Sequence, residues 1–121
     1  MVRPEKWGPI FWGALHVAAL SCSNRDNLAN FVDCYKAMIP CMSCRQHFID
    51  VLKSNPVPMT TEELFPWTVH VHNIVNSRLG KPIISVDDAY DIWTTEPTNN
   101  RIIFILIAVV ALVLLLFFIH R

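Results

Sequence analysis

Pro40-Cys41-Met42-Ser43-Cys44 places a C-x-x-C where one helix has to stop and another can begin. Pro40 interrupts the upstream segment. Cys41, Cys44, Phe48, Val51 and Leu52 then recur at three- and four-residue spacing, the period of an amphipathic helix. Two cysteines one turn apart can close a small disulfide ring. The first lies beside the unpaired N–H groups and the positive dipole end of its helix, which favour a thiolate. Arg45 and a charged His47 act in the same direction. This is the chemistry of a reversible dithiol, and the remaining residues decide where its electrons go.

Outward from that motif the chain reads as helix in both directions. Upstream, residues 27–39 carry Leu28, Phe31/Val32, Tyr35 and Met38/Ile39 on one face with Cys34 beside it, behind a turn in which Asn24 or Asp26 can cap. Before them, residues 5–22 show an apolar stripe of Trp7, Ile10/Phe11, Ala14 and Val17/Ala18. A second, flatter stripe of Gly8, Trp12, His16 and Ala19 runs next to it. The C-x-x-C helix runs over 41–53 and stops in Ser54-Asn55-Pro56-Val57-Pro58. Thr60-x-x-Glu63 has capping-box spacing and predicts a fourth helix from about 60 to 79, with Pro66 imposing a kink or a delayed start. Gly80-Lys81-Pro82 ends it, and Ser85 with Asp87 and Asp88 opens a short fifth helix bearing Tyr90 and Trp93. No stretch alternates with period two. The fold class is all-α, a four-helix bundle plus a short fifth helix.

Composition divides the 121 residues unevenly. Ile102 to Ile119 are eighteen consecutive apolar positions, roughly 27 Å of helix at about 1.5 Å per residue, near the short end of what crosses a bilayer. The expected organisation is a globular domain over 1–95, a polar linker over 96–101 and a C-terminal transmembrane helix over 102–119. The N-terminus shows no signal-peptide pattern, so a tail-anchored protein with its domain on the cytosolic side is expected. Ten basic and ten acidic residues leave no net charge and no basic run, which gives nucleic-acid binding no support. Only Gly8, Gly13 and Gly80 are glycines, so no glycine-rich loop can cradle a pyrophosphate, and no βαβ pattern surrounds the C-x-x-C. Any cofactor must be held by side chains between helices.

The fourth helix supplies such side chains. His72 and Asn76 are four apart with Asn73 beside them, and Arg78 and Lys81 follow as cations suited to phosphates. Trp12 and His16 are likewise four apart on the first helix. Stacking surfaces, amide and imidazole groups and positive charge are what a flavin dinucleotide needs, although such residues on a bundle's inner face also serve as hydrogen-bonded core. A different chemistry is open as well. Cys34, Cys41, Cys44 and His47 could supply four zinc ligands for a membrane-tethered adaptor.

Three segments together carry a resemblance. Trp7-Gly8-x3-Trp12-x2-Leu15-His16, Pro40-Cys41-x2-Cys44 and His72-Asn73-x-Val75-Asn76-x2-Leu79-Gly80-Lys81-Pro82 resemble the signatures of the Erv/ALR family of FAD-linked sulfhydryl oxidases, over nearly all of residues 7–93. The compact size resembles the small type encoded by large cytoplasmic DNA viruses, such as African swine fever virus and the poxviruses. The resemblance implies FAD at the mouth of the bundle and a homodimer packed through the first two helices, where Leu28, Phe31, Val32 and Tyr35 could serve, or could equally be ordinary core. It implies that Cys41 exchanges with a dithiol substrate or shuttle protein, and that Cys44 passes electrons to FAD and on to O₂, giving hydrogen peroxide. Gly8, Trp12, His16, His72, Asn73, Asn76 and Lys81 are implied as FAD contacts, with Arg78, Tyr90 and, further off, Trp93 as additional ones. Many cellular members bracket the fourth-helix motif with a structural disulfide. Val69 and Val86 stand in the corresponding region here, which suits a reducing compartment. Cys22 and Cys34 are expected to be buried free thiols.

Overall fold

Capping and helix-breaking residues set the boundaries of each element. The computed structural model describes residues 2–96 and 100–120, among which six helices and no strand are found. Helix α1 (Pro4–Ser21) opens on Pro4, whose missing N–H would be unpaired in a first turn anyway. It also runs through Pro9, a breaker that its spacing of apolar residues overrides. Helix α2 (Arg25–Met38) is capped by the Asn24 side chain, which accepts from the Asp26 N–H at 2.8 Å. Helix α3 (Met42–Ser54) has Cys41 itself as its N-cap, with Sγ accepting from the Cys44 N–H at 3.2 Å.

Helix α4 (Leu64–Arg78) begins later than the Thr60-x-x-Glu63 spacing predicts. The Thr60 hydroxyl donates to the Glu63 carboxylate at 2.7 Å instead of capping a backbone N–H. Pro66 then falls in the first turn, where it costs no intrahelical bond, so the delayed start is the alternative the chain takes. At its end the Lys81 N–H reaches the Asn76 carbonyl at 2.9 Å and the Gly80 N–H reaches Ser77 at 3.2 Å, a Schellman closure around Gly80 at φ +66°. Ser85 caps α5 (Val86–Thr94) by accepting from the Asp88 N–H at 3.0 Å. Helix α6 (Asn100–Ile119) contains the apolar run 102–119, none of it buried, so it is long and apolar enough to cross a membrane. Residues 97–99 of the expected linker lie outside the described residues.

The most extensive helix contact is α1 on α4, and α2, α3 and α5 close around that pair. Leu15 and Ala19 of α1, Leu28 and Val32 of α2, Phe48 of α3 and Leu64, Val69 and Val71 of α4 form the core. Each fully buried aliphatic side chain contributes about 1.5–3 kcal/mol. This packing decides between the two readings of the α2 stripe and corrects one expectation for the cysteines. Leu28, Val32 and Tyr35 are buried in the core, leaving Phe31 as the exposed member of that stripe. Cys22 and Cys34 are free thiols as expected, but Cys22 is half-buried and Cys34 exposed, because Cys34 lies on the outer side of α2.

Gly80→Ala places a Cβ in the left-handed region and is expected to lower unfolding stability by about 1–2 kcal/mol. Urea denaturation checks this, and an unchanged midpoint would contradict the role given to the closure.

Candidate functional site

Three helices turn chemistry-bearing faces toward one another. Trp7, Gly8, Phe11 and Trp12 from α1, Cys44 and Phe48 from α3, and His72, Val75 and Asn76 from α4 line a cleft of about 600 Å³. His72, Val75 and Asn76 share one stripe of α4, continued by Leu79 at its C-cap, so the helical period itself assembles much of that wall. Tyr35 of α2 and Ile39 just beyond it also line the cleft, as do Glu5 of α1 and Ser43 and His47 of α3. The size lies within the roughly 300–1,000 Å³ of small-molecule pockets.

An aromatic chain forms much of this cleft. Trp7 meets Phe11 edge-on at 5.4 Å, Phe11 meets Tyr35 at 5.2 Å, Tyr35 meets Phe48 at 5.6 Å, and Phe48 meets Trp12 at 5.8 Å. Burial raises the Tyr35 phenol well above its ordinary range, so it stays neutral. Trp12 and His72 lie face to face, with centroids 4.0 Å apart and planes 9° from parallel. The sequence does not mark Phe11, Tyr35 or Phe48 as site residues. Their spacing marks them as apolar helix faces and carries no sign of which face meets a cavity.

Cys41 and Cys44 are joined as a disulfide. Of the two, Cys44 lines the cleft, and Cys41 sits outside it at the helix N-cap. Arg45 anchors the approach to the pair. Its Nε and Nη2 donate to the Ile39 carbonyl at 3.1 and 2.8 Å, tying the end of α2 to the start of α3 across Pro40. The guanidinium therefore holds the backbone beside the disulfide in addition to supplying charge.

His16 is buried behind His72 and does not line the cleft. Its Nε2 is 3.1 Å from His72 Nδ1 and its Nδ1 is 2.8 Å from the Thr68 hydroxyl. Burial lowers the His16 pKa from 6.5 to about 4, and burial, then His16 and Lys81, lowers that of His72 to about 4. Both imidazoles are neutral at pH 7.

Arg78 and Lys81 reach the cleft rim together, because the Gly80 closure turns the chain back on itself. Neither has an ion-pair partner among the described residues. Asn73 is turned elsewhere. Its side chain donates to the Ile84 carbonyl at 2.7 Å and accepts from the Ile84 N–H at 3.1 Å, pinning the segment before α5 to α4. Tyr90 packs edge-on against Phe65 at 5.9 Å, outside this cleft. Trp93 lies 5.9 Å from His16 and crosses α1 at Gly13, where an added Cβ would come within 2.9 Å of its ring.

Gly8 differs from Gly13. A Cβ added there would meet no protein atom within 4 Å, yet the residue lines the cleft. Glycine inside a helix costs about 0.5–1 kcal/mol relative to alanine, and nothing in the fold requires it. The space is left to whatever enters the cleft. The zinc tetrad does not assemble. Among the described residues no three metal-ligating side chains converge, Cys41 and Cys44 are bonded to each other, and Cys34 faces outward with Ile10 and Met38.

A model of the Erv1 / Alr family matches residues 9–94. FAD-linked sulfhydryl oxidases from two isolates of African swine fever virus are 37% and 35% identical to this chain, across 72% and 78% of it and 79% and 85% of their own lengths. The FAD-linked sulfhydryl oxidase of Oryza sativa subsp. japonica is 35% identical, over 65% of this chain and 44% of that protein.

Buried His16 and half-buried His72 make stability depend on pH. Their folded pKa values lie below the unfolded value of 6.5, so protons bind the unfolded chain preferentially. Stability is therefore full above pH 6.5 and falls toward pH 4, by up to about 1.4 kcal/mol per pH unit for each proton taken up. Urea midpoints at pH 7.5 and 5.0 check this, and a higher midpoint at pH 5.0 would contradict it.

Proposed function

The chain belongs to the Erv1 / Alr family, and from that premise we propose that it is an FAD-dependent thiol oxidase that turns dithiols of a partner protein into disulfides. One observation carries the reading. The cleft-facing sulfur of the redox pair, Cys44, shares a single cavity with the Trp12–His72 stack and with the cations Arg78 and Lys81. The residues present fit FAD. Gly8 leaves room on the wall, the aromatic faces suit a planar ring, and the two unpaired cations suit a diphosphate. Gly8, Trp12, His72, Asn76, Arg78 and Lys81 would hold it directly, with His16 acting through His72 and Asn73 through the backbone at Ile84.

The chain's own sulfur chemistry follows from the placement of the pair. A thiolate of the substrate attacks Cys41 Sγ, the Cys41–Cys44 bond breaks, and Cys44 leaves as a thiolate in the cleft wall. The second substrate thiolate then attacks the substrate sulfur of the mixed disulfide. This expels Cys41 as a thiolate and releases the oxidised substrate. Cys41 is the leaving group in that second step, and as N-cap it has the Cys44 N–H within 3.2 Å to stabilise the charge. FAD bound in the cleft supplies the two-electron acceptor that returns the pair to the disulfide, with O₂ as the final oxidant and hydrogen peroxide as product.

Residues 1–95 form the catalytic domain in this reading, and α6 anchors it in a membrane. The two free thiols, one of them exposed, fit a domain held on the cytosolic side. A homodimer would form through α1 and α2, where Ile10, Phe31 and Met38 are exposed around a shallow apolar groove.

Full-length protein purified in detergent is expected to be yellow and to consume O₂ with dithiothreitol. Cys44→Ser is expected to keep the flavin absorbance and lose at least about a hundredfold in turnover; oxidation at the parental rate would refute the electron path. Gly8→Ala separates fold from site. It is expected to raise apoprotein stability by about 0.5–1 kcal/mol while lowering FAD occupancy, and parental occupancy would remove Gly8 from the site.

A further inference from the structure

The hydrogen-bond file behind the cleft has a direction. The Thr68 hydroxyl, in a residue with no exposed surface, donates to the Phe65 carbonyl at 2.7 Å in its own helix. Its single proton is spent there, so at the 2.8 Å contact with His16 it can only accept, and His16 must carry a proton on Nδ1. A neutral His16 then has a bare Nε2, which must accept at the 3.1 Å contact with His72, and His72 must carry its proton on Nδ1. The proton positions follow from the network. The end of the file is His72 Nε2, left with a lone pair. It has no partner among the described residues, and its ring lines the cleft.

We propose that Thr68 is a positioning residue for the cofactor: acting through His16, it fixes His72 as a hydrogen-bond acceptor in the cleft. The group recognised is an N–H or O–H donor of the bound dinucleotide, a requirement that rests on the oxidase reading above. Without the Thr68 oxygen, His16 loses the acceptor that holds its Nδ1 proton. Nothing then dictates which nitrogen of His72 is bare. A donor-recognising site would become a mixed one, without the loss of any side chain that lines the cleft. The Trp12 ring, stacked flat on His72, keeps the imidazole plane in place whichever tautomer it holds, so tautomer and orientation are set by different neighbours.

The test uses the full chain in detergent with its flavin as purified, labelled with 15N-histidine, at pH 7.5. Two-bond proton–nitrogen correlations are expected to show both His16 and His72 as neutral rings protonated at Nδ1. Either ring protonated at Nε2 in the parent protein would overturn the proposal, whatever any variant does. The release of FAD, followed by its fluorescence, is expected to be about tenfold faster in Thr68→Val, with a mixed His72 tautomer. Thr68→Ser, which keeps the hydroxyl, is expected to restore the parental tautomer and release rate. Parental tautomers and release in a folded Thr68→Val would equally overturn the proposal. A parent protein that holds no flavin would defeat the oxidase reading, and the tautomer measurement would still decide the direction of the file.

Discussion

The contact between α1 and α4 governs this molecule. On its core side it is apolar, and Leu15, Ala19, Leu64, Val69 and Val71 all belong to the core. Toward the cleft it becomes a layer of rings, in which His16 and His72 bond to each other and Trp12 lies flat on His72. Apolar burial supplies most of the driving force. The polar layer is tolerated because both His16 nitrogens and His72 Nδ1 find partners, the condition on which buried imidazoles stay cheap, and only His72 Nε2 is left to the cleft. The same layer gives the cleft its stacking face. Core and site are therefore built on the same helix pair.

The disulfide is placed by a different device. Pro40 breaks the chain, Cys41 caps the new helix, and Arg45 reaches back to Ile39 to hold the junction. A turn of helix then puts Cys44 into the cavity and leaves Cys41 outside. One cysteine can meet a protein substrate while the other faces a cofactor because they sit a single turn apart on a helix end. Exchange at Cys41 does not require the cleft to open.

Much of this was legible in the sequence. The order of helices, the cap at Ser85, the stop at Gly80 and the helix beginning at the C-x-x-C all rest on local chemistry that a linear reading captures. The cleft-facing residues His72 and Asn76 were legible because helical spacing puts them on one face, and Gly8 and Trp12 through the three signatures taken together. What escaped depends on tertiary placement. Asn73 shares a motif with its neighbours, yet its side chain is spent on Ile84, and no spacing rule foretells that. Tyr90 lies on α5, whose direction across the bundle is decided by packing on α4. Nothing in the sequence marks Thr68, because its contact with His16 at 2.8 Å exists only once α1 packs on α4. The start of α4 moved because Pro66 permits a first turn at Leu64, while the Thr60 hydroxyl binds the Glu63 carboxylate and caps nothing.

Electron exchange between the sulfur pair and a flavin inside one cavity is the step on which the proposed oxidase stands. Anaerobic titration of the full-length protein with dithiothreitol, followed in the visible flavin band, tests it most directly. The band is expected to bleach as the Cys41–Cys44 disulfide is reduced and to return when air is admitted. A disulfide that opens fully while the bound flavin keeps its oxidised spectrum would contradict it.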